Sequence, residues 1–328
     1  MPIRMAQYGT KHGHARGKAH AMLTNPSVEF TGVFEPDPAA RAKAQDAWEL
    51  PECRWYRDVE EMLADAPVAV AIEGRNDESL GQAQQMVDAG KHIWYDKPAG
   101  DDWPAYRHLI DSVRAKGLYL QMGYMFRYHN GFAMIADWAR TGMLGDVFGV
   151  RAHMSTAISV PAREVISRHR GGIFYDLAGH MLDQIVWILG RPSSIQSHFR
   201  NDATPSLPTF ADNTLGVFEF DRALAFIDIA AMETRPTARR LEVYGTKGSA
   251  IMEPFEPAAR VRLALDEPSG PYIAGEQFVP LQIQSRQDLY DLELPAFVAV
   301  LEGQRTPDRP LEHEILVQET LLRATGGI

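Results

Sequence analysis

The sequence predicts an α/β protein whose first domain is built on a parallel sheet and whose second domain is α+β with a large, mostly antiparallel open sheet. Over the first third of the 328 residues, short apolar runs alternate with helical stretches, a pattern typical of βαβ units. Later apolar runs are longer and are separated by hairpin-type turns, which favours antiparallel pairing. The length also suits two domains. We expect domains at 1–123 and 124–328.

The elements of the first domain follow from the apolar pattern and from Gly and Pro signals. Strands are predicted at 3–8, 28–34, 68–72, 92–95 and 119–122. Helices are predicted at 15–23, 38–47, 59–63, 79–89 and 103–116. Gly90 and Gly117 end two of these helices, as glycine commonly does. Because parallel strands are joined by right-handed crossovers, the pattern predicts a Rossmann-like sheet wrapped by helices.

The spacing of apolar runs changes in the second domain. A helix is predicted near 132–141, and strands are predicted near 147–156, 214–220, 223–230 and 240–244. The turns at 220–222 and 245–248 predict hairpins between consecutive strands. Two segments rich in Pro, Ser, Thr or Gly, 201–212 and 266–275, are typical of surface loops.

Composition narrows the function classes. The formal charge is −10, and the chain has no basic run of the kind that binds a phosphate backbone, so we expect no nucleic-acid partner. The single cysteine, Cys53, excludes an intramolecular disulfide and fits a reducing compartment. The first residues lack a signal-peptide pattern, and no apolar run has membrane-spanning length. We therefore expect a cytoplasmic protein without a membrane partner.

The turn from Gly9 to His14 lies where the first strand meets the first helix, the position at which a dinucleotide fold offers N–H groups to a pyrophosphate. In the G-x-G-x-x-G spacing, Gly9 is the first glycine, but Lys11 and His14 replace the second and third. A Cβ at the second position is tolerated only if it points away from the phosphates. An ordinary tight βα turn with solvated side chains is the alternative.

Glu35 ends the second strand, where an acidic residue usually accepts hydrogen bonds from the adenosine ribose. Pro36 and Asp37 follow it, so a 2′-phosphate would meet negative charge. The pattern favours NAD over NADP as the cofactor, with NADP as the alternative.

Two segments carry the residues of an acid–base reaction. Lys97 precedes Pro98, and a lysine at this point can stabilise a developing alkoxide. Asp176, His180 and Asp183 share one face of a predicted helix. Histidine has an intrinsic pKa near neutral pH, so His180 can take a hydroxyl proton. The alternative for the Asp176 and His180 pair is a hydrogen bond that only stabilises the helix.

The order of these motifs resembles the Gfo/Idh/MocA oxidoreductases, the family of glucose-fructose oxidoreductase and inositol dehydrogenase. Residues 89–98 are similar to the family's segment ending in Glu-Lys-Pro, with Asp96 in place of the glutamate, and residues 171–183 are similar to its Gly-Gly catalytic segment. Phe126-Arg127-Tyr128 and residues 243–248 also match. The chain departs from the family at Lys11 and at 73–79, where the usual Thr-Pro and His are missing.

The resemblance implies that Lys97, Asp176 and His180 are catalytic and face the nicotinamide across a cleft between the domains. The residues expected to bind the cofactor are Gly9, Thr10, Lys11, His12, His14, Glu35, Asn76, Asp96, Lys97 and Pro98. Those expected to line the substrate are Tyr124, Arg127, His153, Arg168, Tyr175, Asp176 and His180. Cations at 163, 168 and 170 suit an anionic substrate group, and equally a solvated loop. No metal is expected, because His12 and His14 lack an evident third ligand in the sequence.

The function expected from this resemblance is an NAD-dependent oxidoreductase acting on a secondary hydroxyl of a sugar, polyol or inositol. One alternative is redox-neutral cleavage of a glycoside by transient oxidation and elimination. Another is a non-catalytic nucleotide-sensing protein, which would not need Lys97 and His180. The exposed, partly apolar face of an open sheet has to be buried against another surface. We therefore expect a homodimer or homotetramer that pairs through strands at 214–230.

Overall fold

The chain forms two units in a computed structural model that describes residues 1–50 and 53–328. The first unit contains residues 1–125 and 286–315, and the second contains residues 126–285 and 316–328. Each unit is built around a sheet of its own. Among the described residues, no helix combines the length and the apolarity needed to cross a bilayer.

The first unit is built on a five-stranded parallel sheet with the order β2-β1-β3-β4-β5. Its strands are β1 Ile3–Tyr8, β2 Val28–Phe34, β3 Ala69–Ile72, β4 His92–Tyr95 and β5 Leu120–Met122. Its first helices are α1 Ala15–Thr24, α2 Pro38–Ala47, α3 Val59–Ala64, α4 Ser79–Asp88 and α5 Trp103–Ala115. All four residues of β3 are fully buried, as expected of a parallel strand covered on both faces. The strand order reverses direction between β1 and β3, which is where open α/β sheets bind ligands.

The second unit is built on an eight-stranded sheet with the order β13-β12-β11-β10-β6-β9-β8-β7. Its strands are β6 Val147–His153, β7 Ser194–Arg200, β8 Asn213–Glu219, β9 Leu224–Ala230, β10 Arg240–Gly245, β11 Gly248–Met252, β12 Arg260–Leu265 and β13 Gly275–Pro280. Its helices include α6 Asn130–Arg140, α7 Val160–Ile166 and α8 Ile173–Leu189. Neighbouring strands are antiparallel except for β6 and β9. Helix α8 packs on β9, β8 and β6, so the sheet buries one face beneath it.

The predicted fold class, a Rossmann domain followed by a mostly antiparallel α+β domain, is confirmed. The first domain's predicted elements differ from the observed ones by a residue or two at their ends. Both predicted hairpins are present, between β8 and β9 and between β10 and β11. The sequence analysis did not assign the strands β7, β11, β12 and β13. It also did not assign helix α7 or the two helices at 286–301 and 311–325.

The observed units differ from the predicted domains at the last two helices, α9 Arg286–Leu301 and α10 Leu311–Thr325. The prediction assigned everything after residue 123 to the second domain, whereas α9 and the start of α10 pack with the first unit. Aromatic contacts explain the difference. The Phe297 ring lies 6.4 Å from Trp94 and 5.3 Å from Tyr119, and a Cβ at Gly17 would lie 2.4 Å from the Tyr290 ring.

One glycine sets the turn after β1. Gly9 has φ of +96°, and a Cβ there would lie 2.4 Å from the backbone nitrogen of Gly74. The turns that follow β1 and β3 therefore touch through their backbones, and only glycine provides the space and the left-handed conformation.

The Gly9→Ala substitution is expected to lower the free energy of unfolding by at least about 2 kcal/mol, because it adds both strain and a backbone clash. The matched control is Gly13→Ala, where nothing lies within 4 Å of the added Cβ. Urea denaturation followed by circular dichroism measures both values. Equal losses in the two variants would contradict the tight contact between the turns.

Candidate functional site

The cofactor turn, residues 9–14, is tied to the end of β2 by Glu35. The Thr10 backbone N–H and hydroxyl each donate to Glu35 Oε2 at 2.8 Å. The Asp37 N–H donates to Glu35 Oε1 at 2.9 Å. A carboxylate offers about four acceptor positions, so three of them hold the protein and one is left for another donor. The arrangement fits an adenosine ribose, because the acid ends β2 as in dinucleotide folds.

Lys11, which replaces the second fingerprint glycine, spans the carboxyl edge of the sheet. Its Nζ lies 2.9 Å from Glu78, at the start of α4, and 3.2 Å from Asp37, just after β2. Partial burial alone would lower the pKa of Lys11, but the hydrogen bonds to the two carboxylates outweigh it and raise the pKa. The lysine therefore keeps a positive charge at the switch point of the sheet, where a pyrophosphate would need one.

Five ionisable side chains meet where β1, β3 and β4 end, and we call them the Asp96 cluster: His12, His14, Lys18, Glu73 and Asp96. The Lys18 ammonium lies 3.0 Å from Glu73 Oε1 and 3.1 Å from Asp96 Oδ2. The Nδ1 atoms of His14 and His12 lie 3.0 and 3.4 Å from the same Asp96 oxygen. Lys18 is fully buried, and Glu73 and Asp96 nearly so. Three nitrogens thus converge on one carboxylate oxygen.

The charges in this cluster follow from burial and from these contacts. Burial alone would raise the pKa of Asp96, but the histidines and Lys18 hold it well below its usual range. Burial also lowers the pKa of the imidazoles, and it dominates at His14, whose pKa falls to about 4. At His12 the attraction of Asp96 and Glu73 wins and raises the pKa to about 9. Burial raises the pKa of the Glu73 carboxyl, although Lys18 and His12 oppose that shift. Asp96 is therefore the firmly ionised carboxylate that His12 and Lys18 face.

The structure contradicts the reason given for expecting no metal, because Asp96 brings a carboxylate oxygen next to His12 and His14. One nitrogen of each histidine and a carboxylate oxygen of Asp96 lie within 4.8 Å of one another, a spacing compatible with a metal ion. However, the Lys18 ammonium lies 3.1 Å from that carboxylate. A buried cation already supplies the positive charge that a metal would bring.

Lys97 follows the cluster directly. Its backbone N–H donates to Asp96 Oδ1 at 2.7 Å, its side chain is almost fully buried, and its peptide bond to Pro98 is cis. Asn76 lies half-buried in the turn after β3. Most of the residues predicted to bind the cofactor therefore lie at the carboxyl edge of one parallel sheet.

The residues predicted to handle the proton, Asp176 and His180, follow the Gly-Gly turn before α8. Gly171 and Gly172 have φ of +86° and +50°, and a Cβ at Gly172 would lie 2.4 Å from the Ala211 carbonyl oxygen. Only glycine allows this close approach. Asp176 lies in the first turn of α8 and His180 one turn later, so both belong to the same face of the helix.

Helix α8 is fixed by a buried ion pair. Arg127 donates from Nε to Asp183 Oδ2 at 3.0 Å and from Nη2 to Oδ1, and its guanidinium lies 3.8 Å from the centre of the Trp187 ring. The His180 ring packs edge to face on Phe126 at 5.0 Å. Arg127 was predicted to line the substrate, but its guanidinium holds the helix that carries His180.

Three other predicted substrate residues lie in different surroundings. Tyr175 is buried and stacks on the His169 ring at 4.6 Å. Tyr124 belongs to the first unit, where the Arg309 guanidinium lies 5.5 Å from its ring. Arg168 is exposed in the segment between α7 and α8. The Tyr175 side chain is therefore part of the packing around α8, and Arg168 is the more accessible of these groups.

His153 is separated from the α8 residues by the sheet itself. Its Nδ1 lies 2.5 Å from Asp228 and its Nε2 lies 3.2 Å from Glu233. Alternate residues of β6 and β9 are buried towards α8, so His153 and Asp228 point to the opposite face. The hydrogen bond to Asp228 raises the pKa of His153. His153 was predicted to line the substrate together with His180, and the structure does not bring the two together.

Two of the three arginines that were predicted to share one loop already have structural partners, and Arg163 lies in helix α7 rather than in a loop. Arg163 donates to the Thr204 hydroxyl at 2.5 Å and to the Ala231 carbonyl at 3.1 Å. Arg170 donates to the Gly326 carbonyl at 2.5 Å. These contacts hold loops of the second unit, so the two arginines do not act as a cluster of free cations.

The sequence analysis missed Lys18, Glu73 and Glu293. For Lys18 a signal existed, because positions 15, 18, 19 and 22 form the apolar stripe of α1 and are buried. A lysine within such a stripe indicates a buried partner. Glu293 is fully buried on α9, and burial raises its pKa to about 7 although Lys18 opposes the shift.

The buried Glu293 carboxyl predicts a pH dependence. Its pKa is about 7 in the folded chain and about 4.3 in an unfolded chain, so its neutral form stabilises the fold at low pH. Stability is lost as pH rises through 7, by roughly 2–4 kcal/mol between pH 4 and 8. Glu293→Gln removes this loss, and denaturation of both proteins at pH 5 and pH 8 measures it.

The control for that experiment is Glu302→Gln, an exposed position just after α9. This variant is expected to follow the pH dependence of the unmodified chain. An unchanged pH dependence in Glu293→Gln would show that the carboxyl titrates as it does in the unfolded chain.

The chain matches two sequence profiles that together cover most of it. The profile described as an oxidoreductase family with an NAD-binding Rossmann fold matches residues 3–124. The profile described as the GFO/IDH/MocA C-terminal domain matches residues 132–251. The second match covers α6, α8 and the central strands of the large sheet.

Two individual relatives of the chain are named as dehydrogenases. The chain is 28% identical over 222 residues to scyllo-inositol 2-dehydrogenase (NAD(+)) of Bacillus subtilis (strain 168), a match covering 66% of this chain and 64% of that relative. It is 24% identical over 244 residues to D-glucoside 3-dehydrogenase of Escherichia coli (strain K12), covering 67% of each. The match thus spans slightly less than two thirds of the inositol dehydrogenase.

A solved oxidoreductase from Agrobacterium radiobacter, in complex with NAD+, L-tartaric acid and magnesium, has the same fold. It superposes on this chain with a TM-score of 0.83 and is 14% identical to it. The superposition covers 99% of this chain and 97% of that chain. With both profiles matched in order, the chain belongs to the Gfo/Idh/MocA family of oxidoreductases, and its first domain is an NAD-binding Rossmann fold.

Proposed function

We propose that the chain is an NAD-dependent dehydrogenase that moves a hydride between nicotinamide and a secondary hydroxyl of a sugar, polyol or inositol. The observation that supports the proposal is the position of Lys97. This almost fully buried lysine follows the Asp96 cluster at the carboxyl edge of the Rossmann sheet. Bound NAD supplies the hydride acceptor. Relatives named for inositol and glucoside dehydrogenation support a polyhydroxylated substrate.

In this proposal the residues of α8 handle the proton. His180 accepts the proton of the substrate hydroxyl as a general base. Asp176, one turn earlier on the same helix face, orients the imidazole or balances its charge. Lys97 stabilises the oxygen as negative charge develops on it. The Arg127 and Asp183 ion pair, with Trp187, keeps α8 in place.

The cofactor preference follows from the charges after β2. Glu35 has one acceptor position left for a ribose hydroxyl, and Asp37 adds negative charge, which disfavours the 2′-phosphate of NADP. Gly9, Thr10 and Lys11 would hold the pyrophosphate end, with Lys11 supplying positive charge. We therefore expect NAD to bind more tightly than NADP.

The oligomer expected from the open sheet stays part of the proposal. Leu224 is 59% exposed on β9, and Leu215, Val217 and Phe226 are partly exposed on the face of β8 and β9 that points away from α8. Apolar surface of this kind suits a homodimer or homotetramer. Light scattering of the purified chain decides the subunit number, and a monomer would contradict this proposal.

The assay uses a panel of sugars, polyols, inositols and sugar acids, followed by absorbance of the reduced nicotinamide with NAD and separately with NADP. Lys97→Met and His180→Asn are expected to lower kcat/KM by roughly 100-fold or more on any substrate found, since positioned acid–base groups contribute about that much. Lys116→Met and His20→Asn, both exposed, are matched controls that keep activity.

Full activity in Lys97→Met or His180→Asn would contradict the assigned roles. If no substrate reduces either cofactor but the denatured protein releases NAD, redox-neutral glycoside cleavage becomes the better explanation. NADP preferred over NAD would contradict the assignment of Glu35.

A further inference from the structure

Lys11 joins the ends of three neighbouring strands through one ammonium group. It follows β1, whereas Asp37 follows β2 and Glu78 lies after β3, directly before α4. Its Nζ lies 3.2 Å from Asp37 Oδ2 and 2.9 Å from Glu78 Oε1. These strands are adjacent in the order β2-β1-β3, and an open α/β sheet holds a dinucleotide in the crevice at such strand ends. The lysine and its two carboxylates therefore lie where the cofactor is expected.

Both carboxylates keep other donors if Lys11 leaves them. Asp37 Oδ1 caps α2 by accepting two backbone N–H groups of its first turn, at 2.9 and 3.3 Å. Glu78 Oε1 also lies 2.9 Å from Arg75 Nη2, so a guanidinium remains beside it. Neither acid loses all of its partners when the ammonium moves away.

Lys11 is the member of this group that can move. The side chains of Lys11 and Glu78 are 17% and 28% exposed, and that of Asp37 is 42% exposed. Ion pairs that solvent reaches contribute little, so breaking them costs little. Lys11 belongs to the cofactor turn, and its flexible four-carbon stem carries an ammonium with three donors. The ammonium can therefore turn from the carboxylates to phosphate oxygens bound at its own turn.

We propose that Lys11 exchanges the carboxylates of Glu78 and Asp37 for the diphosphate of the dinucleotide, so that Glu78 is an internal competitor that weakens cofactor binding. The inference rests on the proposed function, because it takes a nicotinamide dinucleotide as the ligand. The diphosphate brings two negative charges to one ammonium, whereas each carboxylate brings one, and Arg75 stays with Glu78. A lysine that stayed on both carboxylates would instead form a fixed bridge, and Glu78 would then help binding.

The test is a double-mutant cycle on the dissociation constant of NADH, measured by isothermal titration calorimetry. Glu78→Gln is expected to tighten NADH binding by about two- to fivefold, the usual contribution of a partly exposed ion pair. Lys11→Met is expected to weaken it by roughly tenfold or more, because a charge-assisted hydrogen bond is lost. In the Lys11→Met background, Glu78→Gln is expected to change binding by less than about twofold, since no ammonium remains for Glu78 to hold.

Further comparisons separate exchange from a change in net charge. Glu60→Gln removes an exposed carboxylate on α3; it is the matched control and is expected to leave NADH binding unchanged. Glu78→Gln is also expected to tighten the binding of ADP, which carries a diphosphate, and to leave that of adenosine unchanged. Asp37→Asn is expected to tighten NADH binding in the same way, so a second variant tests the exchange if Glu78→Gln fails to fold.

Three results would overturn the exchange while leaving the proposed function intact. Unchanged or weaker NADH binding in Glu78→Gln would show that Glu78 does not compete for the lysine. An equal effect of Glu78→Gln in both backgrounds would show an effect of charge alone. Unchanged NADH binding in Lys11→Met would show that the ammonium does not reach the diphosphate. Failure of the unmodified protein to bind NADH would overturn both the exchange and the proposed function.

Discussion

The first unit depends on the buried ion pairs of Lys18 with Glu73 and Asp96. Lys18 is fully buried, and its ammonium also lies 4.3 Å from the centre of the Trp94 ring. Each carboxylate ends a different strand, so one ammonium joins α1, β3 and β4. Breaking a buried pair leaves an uncompensated charge and costs about 3–5 kcal/mol. The cofactor turn and Lys97 are consequently built on one electrostatic assembly, with α9 covering it through Tyr290 and Glu293.

The two halves of the proposed chemistry are stabilised in different ways. The part around Lys97 in the Rossmann domain is stabilised by charges at strand ends, as the Asp96 cluster shows. The α8 half relies on backbone geometry and packing. Two left-handed glycines start the helix, and the Arg127 and Asp183 ion pair fixes its middle. A substitution near Lys97 therefore changes electrostatics first, whereas one near His180 changes the position of a helix first.

Much of the fold could be predicted from local patterns. The βαβ rhythm predicted the strands and helices of the first domain to within a residue or two, because buried parallel strands are short apolar runs. The Gly-Gly motif marked the start of α8. Lys18 interrupts the apolar stripe of α1, which indicated a buried partner. Which groups it pairs with, and the roles of Glu293 and Arg127, could not be predicted, since these partners are set by tertiary packing between segments far apart in the chain. The same reason explains why residues 286–301, which belong to the first unit, were expected in the second domain: their aromatic residues carry no signal of which sheet they cover.

The most direct measurement is a double-mutant cycle on the stability of Lys18→Met and Asp96→Asn, followed by urea denaturation. The ion-pair account predicts that Lys18→Met alone lowers the free energy of unfolding by about 3–5 kcal/mol. It also predicts that the double variant loses less than the sum of the single losses, by about 1–3 kcal/mol. Losses that simply add, or a Lys18→Met variant as stable as the unmodified chain, would contradict the claim that this contact organises the site.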